Sequence, residues 1–282
     1  MDFRKIEWLF ILVFISLNIF LFNIYQSSQD DQQAVTTTYN QKEGITSRLK
    51  NDNITFKGKI STKKPEGYYL SAEQVNVMNV LSENNIQDIM STSSISDNVL
   101  TNYLGQPRRF NMNRIKSSFN RAMKDDSFIY EGTSYQYISH ISKEEKGDVK
   151  IVGAQNYEGI PFIDETSRVT LDIDTSGTNA EVTQYTQTLL RQIEPLREKM
   201  TLYSEEEILN TLYINNNIPA NSTIQDIYLG YFRTIEVGEK NVYVPVWFVK
   251  IQTSDDVSQI ERVNAMSNQV ISNNLVPKVE NP

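Results

Sequence analysis

The chain opens with an almost unbroken apolar run. From Trp8 to Tyr25 there are 18 residues without a full charge, a proline or a glycine. As a helix, at about 1.5 Å per residue, such a run is roughly 27 Å long, close to the hydrocarbon thickness of a bilayer. No small-x-small cleavage site follows it, which predicts a retained membrane helix over residues 6–25 rather than a removed export signal. Arg4 and Lys5 precede the run, and Gln26-Ser27-Ser28-Gln29-Asp30-Asp31 follows. The positive-inside rule then places residues 1–5 in the cytoplasm and the rest of a single-pass protein outside the cell membrane. Residues 26–50 are polar, show almost no apolar period and read as a linker.

Beyond residue 50 the pattern changes. Ile54, Phe56, Gly58 and Ile60 alternate with polar residues, which predicts a strand over 53–60. Lys64-Pro65-Glu66-Gly67 is a turn signal before a short strand at 68–70. Ser96-Asp97 reads as a helix start, with Val99, Leu100, Tyr103 and Leu104 at helical spacing and Gly105-Gln106-Pro107 as the stop. Ile115, Phe119 and Met123 predict a second helix. Strands are predicted at 127–132 and 135–138, and Val169, Leu171 and Ile173 alternate cleanly within 168–174. A turn at 175–178 returns the chain along 181–189 as a hairpin. Ser204 and Glu207 form the capping box of a helix whose apolar face is Ile208, Leu209, Leu212 and Tyr213. Long strands follow at 227–237 and 241–253, with shorter ones at 260–263 and 269–271. Helices and strands come in blocks, which predicts an α+β domain of antiparallel sheets packed with a few helices. The domain spans 51–282, with room for two subdomains meeting near residue 145. Tyr103-Leu104-Gly105 and Tyr228-Leu229-Gly230 share three residues, too little to define a repeat.

Composition narrows the function. Past Tyr25, 25 basic residues face 33 acidic ones, a balance that argues against nucleic acid and anionic lipid. There is no cysteine, so the outer domain must be held by its core alone. That habit is common in exported proteins of Gram-positive bacteria, and it makes the sequons at Asn53 and Asn221 incidental.

The residues of chemistry are sparse. His140 is the single histidine and no Gly-x-Ser-x-Gly elbow accompanies it, so a hydrolytic triad is not indicated. Asp172-Ile173-Asp174-Thr175-Ser176-Gly177 resembles the start of a calcium loop. Its twelfth position is Thr183 where a bidentate glutamate is required, so a strand with outward aspartates and a glycine turn accounts for it better. No phosphate-cradling glycine loop, metal set or cofactor motif is present, and the residues point to a non-enzymatic, anchored outer domain.

Several stretches resemble the YycI (WalI) family. They are Met1-Asp2-Phe3-Arg4 running straight into the membrane helix, Tyr157-Glu158-Gly159-Ile160-Pro161-Phe162, Tyr185-Thr186-Gln187 ahead of the capped helix, Leu229-Gly230-Tyr231, Val244-Pro245-Val246-Trp247 and Val263-Asn264-Ala265. The resemblance implies an accessory regulator of the WalK/WalR (YycG/YycF) two-component system, acting on the sensor histidine kinase WalK together with a second membrane protein, YycH. It further implies a YycH-like α+β outer domain and a role in cell-wall metabolism. The alternative is an exported, membrane-anchored protein that binds or cleaves a cell-wall ligand.

Two surfaces are candidates for partner contact. Glu7 and Asn18 lie eleven residues apart, about three turns, on one side of the membrane helix. With Ile11, Phe14, Leu21 and Tyr25 they form a stripe, and an amide near mid-membrane usually faces another helix. In 241–251, Tyr243, Pro245 and Trp247 share one face. Proline cannot donate to a ladder, so these three also mark a candidate sheet edge open to a partner's strand.

Overall fold

The computed structural model describes residues 44–145, 148–238, 240–253, 257–271 and 278–279, together with Trp8, residues 13–15, Leu17 and Asn18. The chain divides into two compact units, residues 1–51 and 52–282. In the first, Trp8, residues 13–15, Leu17 and Asn18 are helical. Most of the expected membrane segment lies outside the described residues, and among those described no helix is long and apolar enough to cross a membrane. The end of the expected linker is helical: α1 (Ile45–Asn51) buries Ile45 and Leu49, one turn apart on one face.

The second unit is α+β, with mostly antiparallel sheets. Its first elements are β1 (Thr55–Phe56), β2 (Glu66–Gly67), β3 (Leu70–Val75), α2 (Val77–Glu83), α3 (Gln87–Met90), β4 (Ser93–Ser96) and β5 (Val99–Arg109). Next come α4 (Ile115–Ala122), β6 (Gln136–Tyr137), β7 (Lys143–Glu145), β8 (Asp148–Ala154), β9 (Asn156–Tyr157) and β10 (Ile160–Pro161). The remainder is β11 (Arg168–Asp174), β12 (Glu181–Gln187), β13 (Leu189–Pro195), β14 (Met200–Thr201), α5 (Glu205–Ile214), β15 (Thr223–Val237), β16 (Lys240–Gln252), β17 (Ser258–Asn264) and β18 (Lys278–Val279).

Two sheets carry the unit. One runs β1-β15-β16-β3-β13, with β17 also on β16 and β18 on β15; the other runs β4-β5-β12-β11-β8-β6, with β7 on β8. A single extended path, β12 into β13, belongs to both and changes sheet at Thr188. The Thr188 backbone N–H donates to the Arg168 carbonyl at 2.8 Å, and its hydroxyl donates to the Glu165 carbonyl at 2.7 Å. The second sheet is covered by α2, α3 and α4 through Leu81, Ile89 and Phe119, which pack with Ile151, Leu171 and Tyr185.

Five expected elements change. The strand expected at 68–70 starts only at Leu70, where β3 begins after the short β2 at Glu66–Gly67. Residues 99–109 are strand β5, not a helix. Asp97 and Asn98 both have positive φ (48° and 62°), which makes a two-residue primed turn and pairs β4 with β5. The helical spacing of Val99, Leu100, Tyr103 and Leu104 is coincidental, because pairing with β4 and β12 on either side overrides it. Gly105-Gln106-Pro107 falls where the β5–β12 register shifts, the usual setting for proline within a sheet. Residues 127–132 are turns rather than a strand, because the Phe128 and Ile129 N–H groups bond back to the Asp125 carbonyl. At 53–60 only Thr55–Phe56 pairs, and near 270 only an isolated Val263–Val270 bridge forms.

Other expectations match. The hairpin of β11 with β12 and the long hairpin of β15 with β16 are both present. α4 buries Phe119, and α5 begins with the complete capping box: the Ser204 hydroxyl accepts from the Glu207 N–H, and Glu207 accepts from the Ser204 N–H. The two Tyr-Leu-Gly copies occupy unlike settings, Tyr103 being exposed and Tyr228 buried.

Candidate interaction surface

Tyr157-Glu158-Gly159-Ile160 forms the turn of the small β9–β10 hairpin. Glu158 and Gly159 have φ of 48° and 86°, so a two-residue turn with both positions left-handed joins the strands. Glycine takes that conformation freely; for glutamate it is costly. Two contacts hold Glu158 there. Its carboxylate accepts from the Tyr68 hydroxyl at 3.2 Å and pairs with Lys199 Nζ at 2.9 Å. The Lys199 hydrogen bond holds the Glu158 carboxyl below the usual carboxylate range and raises Lys199 in turn.

Past the hairpin the chain dives into the core. Phe162 is fully buried, its ring 5.2 Å from that of Tyr231 and edge-on to Tyr243 at 5.0 Å. The Ile163 N–H donates to the Tyr231 carbonyl at 2.9 Å, so residues 162–163 run beside β15. Gly230 makes this possible: a Cβ there would stand 2.2 Å from Ile163 Cγ1 and 3.1 Å from the Pro161 carbonyl oxygen. Tyr-Glu-Gly-Ile-Pro-Phe and Leu-Gly-Tyr, separated by some seventy residues in the chain, are therefore the two halves of one crossing.

The third and fourth motifs join them. Tyr231 faces Pro245 across the β15–β16 ladder, and the Pro245 carbonyl accepts from the Ala265 N–H at 2.9 Å. In a strand the N–H and C=O of one residue point to the same side, so the donor that proline lacks would face that same side. There β3 pairs with β16 only as far as Tyr243, and β17 pairs with β16 only from Val246 onward. Pro245 occupies the break between two partner strands, where a missing donor costs little. Trp247 donates its indole N–H to the Tyr203 carbonyl at 2.8 Å, tying β16 to the start of α5.

Tyr243, Pro245 and Trp247 are thus not on a sheet edge. β16 is an interior strand, and every residue from Tyr243 to Val249 is buried. Val244, Val246 and Phe248 pack with Ile138, Ala154 and Ile163 on one face. On the other, Tyr243 packs with Leu70, Phe162 and Tyr231. The proline signal is genuine, but the structure uses it at a junction between neighbours rather than at an open edge.

The accessible part of this region is its rim. Leu196 and Met200 are 52% and 39% exposed. Between them, Arg197 lies 5.9 Å from the centre of the Tyr69 ring and Lys199 5.7 Å from that of Tyr68. Tyr157 meets Tyr68 edge-on at 5.6 Å. Tyrosine, methionine and arginine are enriched at protein interfaces, and Tyr68, Tyr69, Tyr157, Arg197 and Met200 gather on this rim, which makes it the candidate contact surface. Nothing in the local pattern marked Tyr68 or Lys199; only the hairpin motif hinted at this place.

Of the expected membrane stripe, Glu7, Ile11, Leu21 and Tyr25 lie outside the described residues. Phe14 and Asn18 are described and stacked one turn apart: the Asn18 amide donates to the Phe14 carbonyl at 2.8 Å. One donor of the amide is therefore satisfied within its own helix. Trp8, Val13, Phe14, Ile15 and Leu17 are all more than half exposed.

The remaining candidates are structural. His140 Nδ1 is hydrogen-bonded to Asp226, and its ring stacks on Tyr228 at 4.6 Å, which stacks in turn on Phe248 at 5.2 Å. The Asp172 carboxylate accepts from Gln184 at 3.0 Å and that of Asp174 from the Ser176 N–H at 2.8 Å, a strand pair and a turn. Among the described residues no group of three or more His, Cys, Asp or Glu could hold a metal ion.

Comparison with known proteins follows the motifs. No curated protein matches the chain at a significant level. Among solved structures, an uncharacterized protein from Eubacterium rectale is 11% identical, with a TM-score of 0.47, over 79% of this chain and 91% of its own. The YycI protein family matches residues 32–266, which takes in the hairpin, the Gly230 crossing and the Pro245 junction. The chain belongs to the YycI family, accessory proteins of the WalK two-component system.

Proposed function

We propose that this protein modulates the WalK sensor kinase as a single-pass membrane subunit. Residues 6–25 form the anchor and residues 51–282 lie outside the cell. It acts with a YycH-like protein, through its membrane helix and through the outer domain. The membership of the YycI family supports the regulatory role. The observation that carries the membrane-helix reading is the outward display of Trp8, Val13, Phe14, Ile15 and Leu17. Apolar side chains presented on a helix in this way require an apolar surrounding. Asn18 sits among them, where a partner helix would accept the amide's remaining donor.

The test replaces residues 6–25 with an unrelated membrane helix of equal length. Kinase output and co-purification with WalK and the YycH-like protein are then measured. Loss of both with unchanged protein level is expected. Full retention of both would sink the membrane-helix reading.

A further inference from the structure

The edge of a sheet presents backbone groups to any arriving strand, and folds usually cover or blunt it. The two large sheets do so in several ways. The outer side of β15 is met by β1, by Ile163 and by β18. β17 is covered where the Asn264 N–H donates to the Gln269 carbonyl and the Ile271 N–H to the Arg262 carbonyl. On β13 the Gln155 side chain bonds the N–H and the carbonyl of Leu190, at 2.8 and 3.0 Å. Beyond it Gln192, with a φ of 50°, breaks the register before Glu194 and Pro195. In the second sheet β8 carries β6 and the charged β7, Lys143–Glu145. Where β5 runs on past β4 it holds Pro107, a register shift and two arginines.

β4 has none of these devices. It ends the second sheet, and Ser93-Ser94-Ile95-Ser96 holds no charge, no proline and no register shift. The Tyr103 N–H donates to the Thr92 carbonyl, so by the alternation of an antiparallel pair Ser94 and Ser96 also bond to β5. The N–H and carbonyl groups of Ser93 and Ile95 therefore point away from β5, and they make no bond among the described residues. Ser94 and Ser96 are exposed, and Ile95 is half-buried opposite Leu100 of the core. The open edge expected on β16 is found on β4 instead.

The surroundings select the partner. Between Lys64 and Arg108 the chain has no basic residue and five acidic ones. Two of these, Glu83 and Asp97, are exposed, line one cavity beside the turn that ends β4, and have no ion pair among the described residues. We propose that β4 is the docking edge for an extended segment of a partner protein. The segment is uncharged along its length, with an apolar residue beside Ile95 and a basic residue at the end that meets Asp97 and Glu83. Main-chain bonds to Ser93 and Ile95 hold such a strand, and its side chains set the choice. A second copy of β4 pairs less well, because it brings another Asp97 and no basic residue. The proposal rests on the reading that this protein acts by contact with other membrane proteins. β4 lies in a different sheet from β2, β9, β10 and β14 at the rim, so the two surfaces are tested separately.

The chain has no cysteine, so Ser94→Cys creates one attachment point for a benzophenone photo-crosslinker. The labelled full chain is illuminated in membranes that also hold WalK and the YycH-like protein, and the adducts are mapped by mass spectrometry. Lys143→Cys, exposed on β7 at the opposite side of the same sheet, is the control. The label at position 94 is expected to give adducts with an extended partner segment that carries a basic residue, at about tenfold the yield of the control. Glu83→Gln with Asp97→Asn should lower that yield about threefold or more, as for exposed ion pairs, and asparagine keeps the left-handed turn. Adducts confined to two copies of this chain, a yield no higher than the control, or a yield unchanged by the neutral pair each overturns the proposal. If the partners co-purify with the chain and the label at 94 does not reach them, the edge alone fails. If they do not co-purify at all, the regulatory reading fails and the edge with it.

Discussion

Gly230 and Ile163 occupy one space: the hydrogen at Gly230 stands where a Cβ would come within 2.2 Å of Ile163 Cγ1. The contact fastens the hairpin segment to the long β15–β16 ladder. Gly230→Ala forces Ile163 or the backbone at Pro161 to move. A loss of about 1–3 kcal/mol in urea unfolding is expected, as for other overpacked cores. Gly105→Ala is the control, because no atom lies within 4 Å of the place its methyl would take. It should change stability by less than about 0.5 kcal/mol or raise it, since alanine is less costly than glycine in a strand. Equal losses in both would show that the crossing is not the sensitive point.

Asn18 is a question about a partner rather than about folding. Its amide already bonds to the Phe14 carbonyl, so Asn18→Leu removes an internal bond and whatever the remaining donor and oxygen meet. Polar contacts between membrane helices contribute about 0.6 and up to about 2 kcal/mol, so co-purification with the kinase should fall several-fold while expression holds. Unchanged co-purification and kinase output would assign the asparagine to its own helix alone.

The rim beside the hairpin gives a separate test. Leu196→Glu with Met200→Glu puts two charges on outward positions that support no core. The melting temperature should stay within a few degrees, because surface changes of this kind cost about 0.5 kcal/mol or less. Binding of residues 51–282 to the proposed WalK and YycH-like partners should weaken. Retained binding would move the contact surface elsewhere on the domain.

Acid should loosen the fold in a defined window. Burial opposes ionisation of Glu207, but hydrogen bonds from Lys64 and Ser204 outweigh it and hold its carboxyl below the ordinary 4.5. Ser127 and then Arg108 hold Asp125 below 3.8. Because both are lower in the folded state than in the unfolded one, their stabilisation is present above the unfolded values. It is lost as pH falls through the folded ones. The melting temperature should therefore drop as pH falls below 4.5, and Glu207→Gln should flatten that slope. The alkaline side has the opposite sign. Burial pushes Tyr228 and Tyr231 up to about 12 from 10.0, so their share of stability is complete below 10.0 and vanishes as pH passes about 12. A melting temperature unaffected by acid would show that neither carboxylate is coupled to folding.

The parts legible in the sequence are those set by neighbours along the chain. The capping box at Ser204 and Glu207 needs only residues three apart, and the alternation in 168–174 needs only the two-residue period of a strand. The long hairpins followed, and with them the α+β class. The motifs shared with the YycI family were also visible as strings. What the strings do was settled by contacts between distant segments. Pro245 signals a missing donor, but whether that donor faces water or a break between β3 and β17 depends on which strands arrive beside it. Val99 to Leu104 carries a helical spacing that two flanking strands override. Gly230 is one glycine among eleven until Ile163 is laid across it. Periods along the chain need only neighbouring residues, whereas these contacts exist only once β3, β15, β16 and β17 come together.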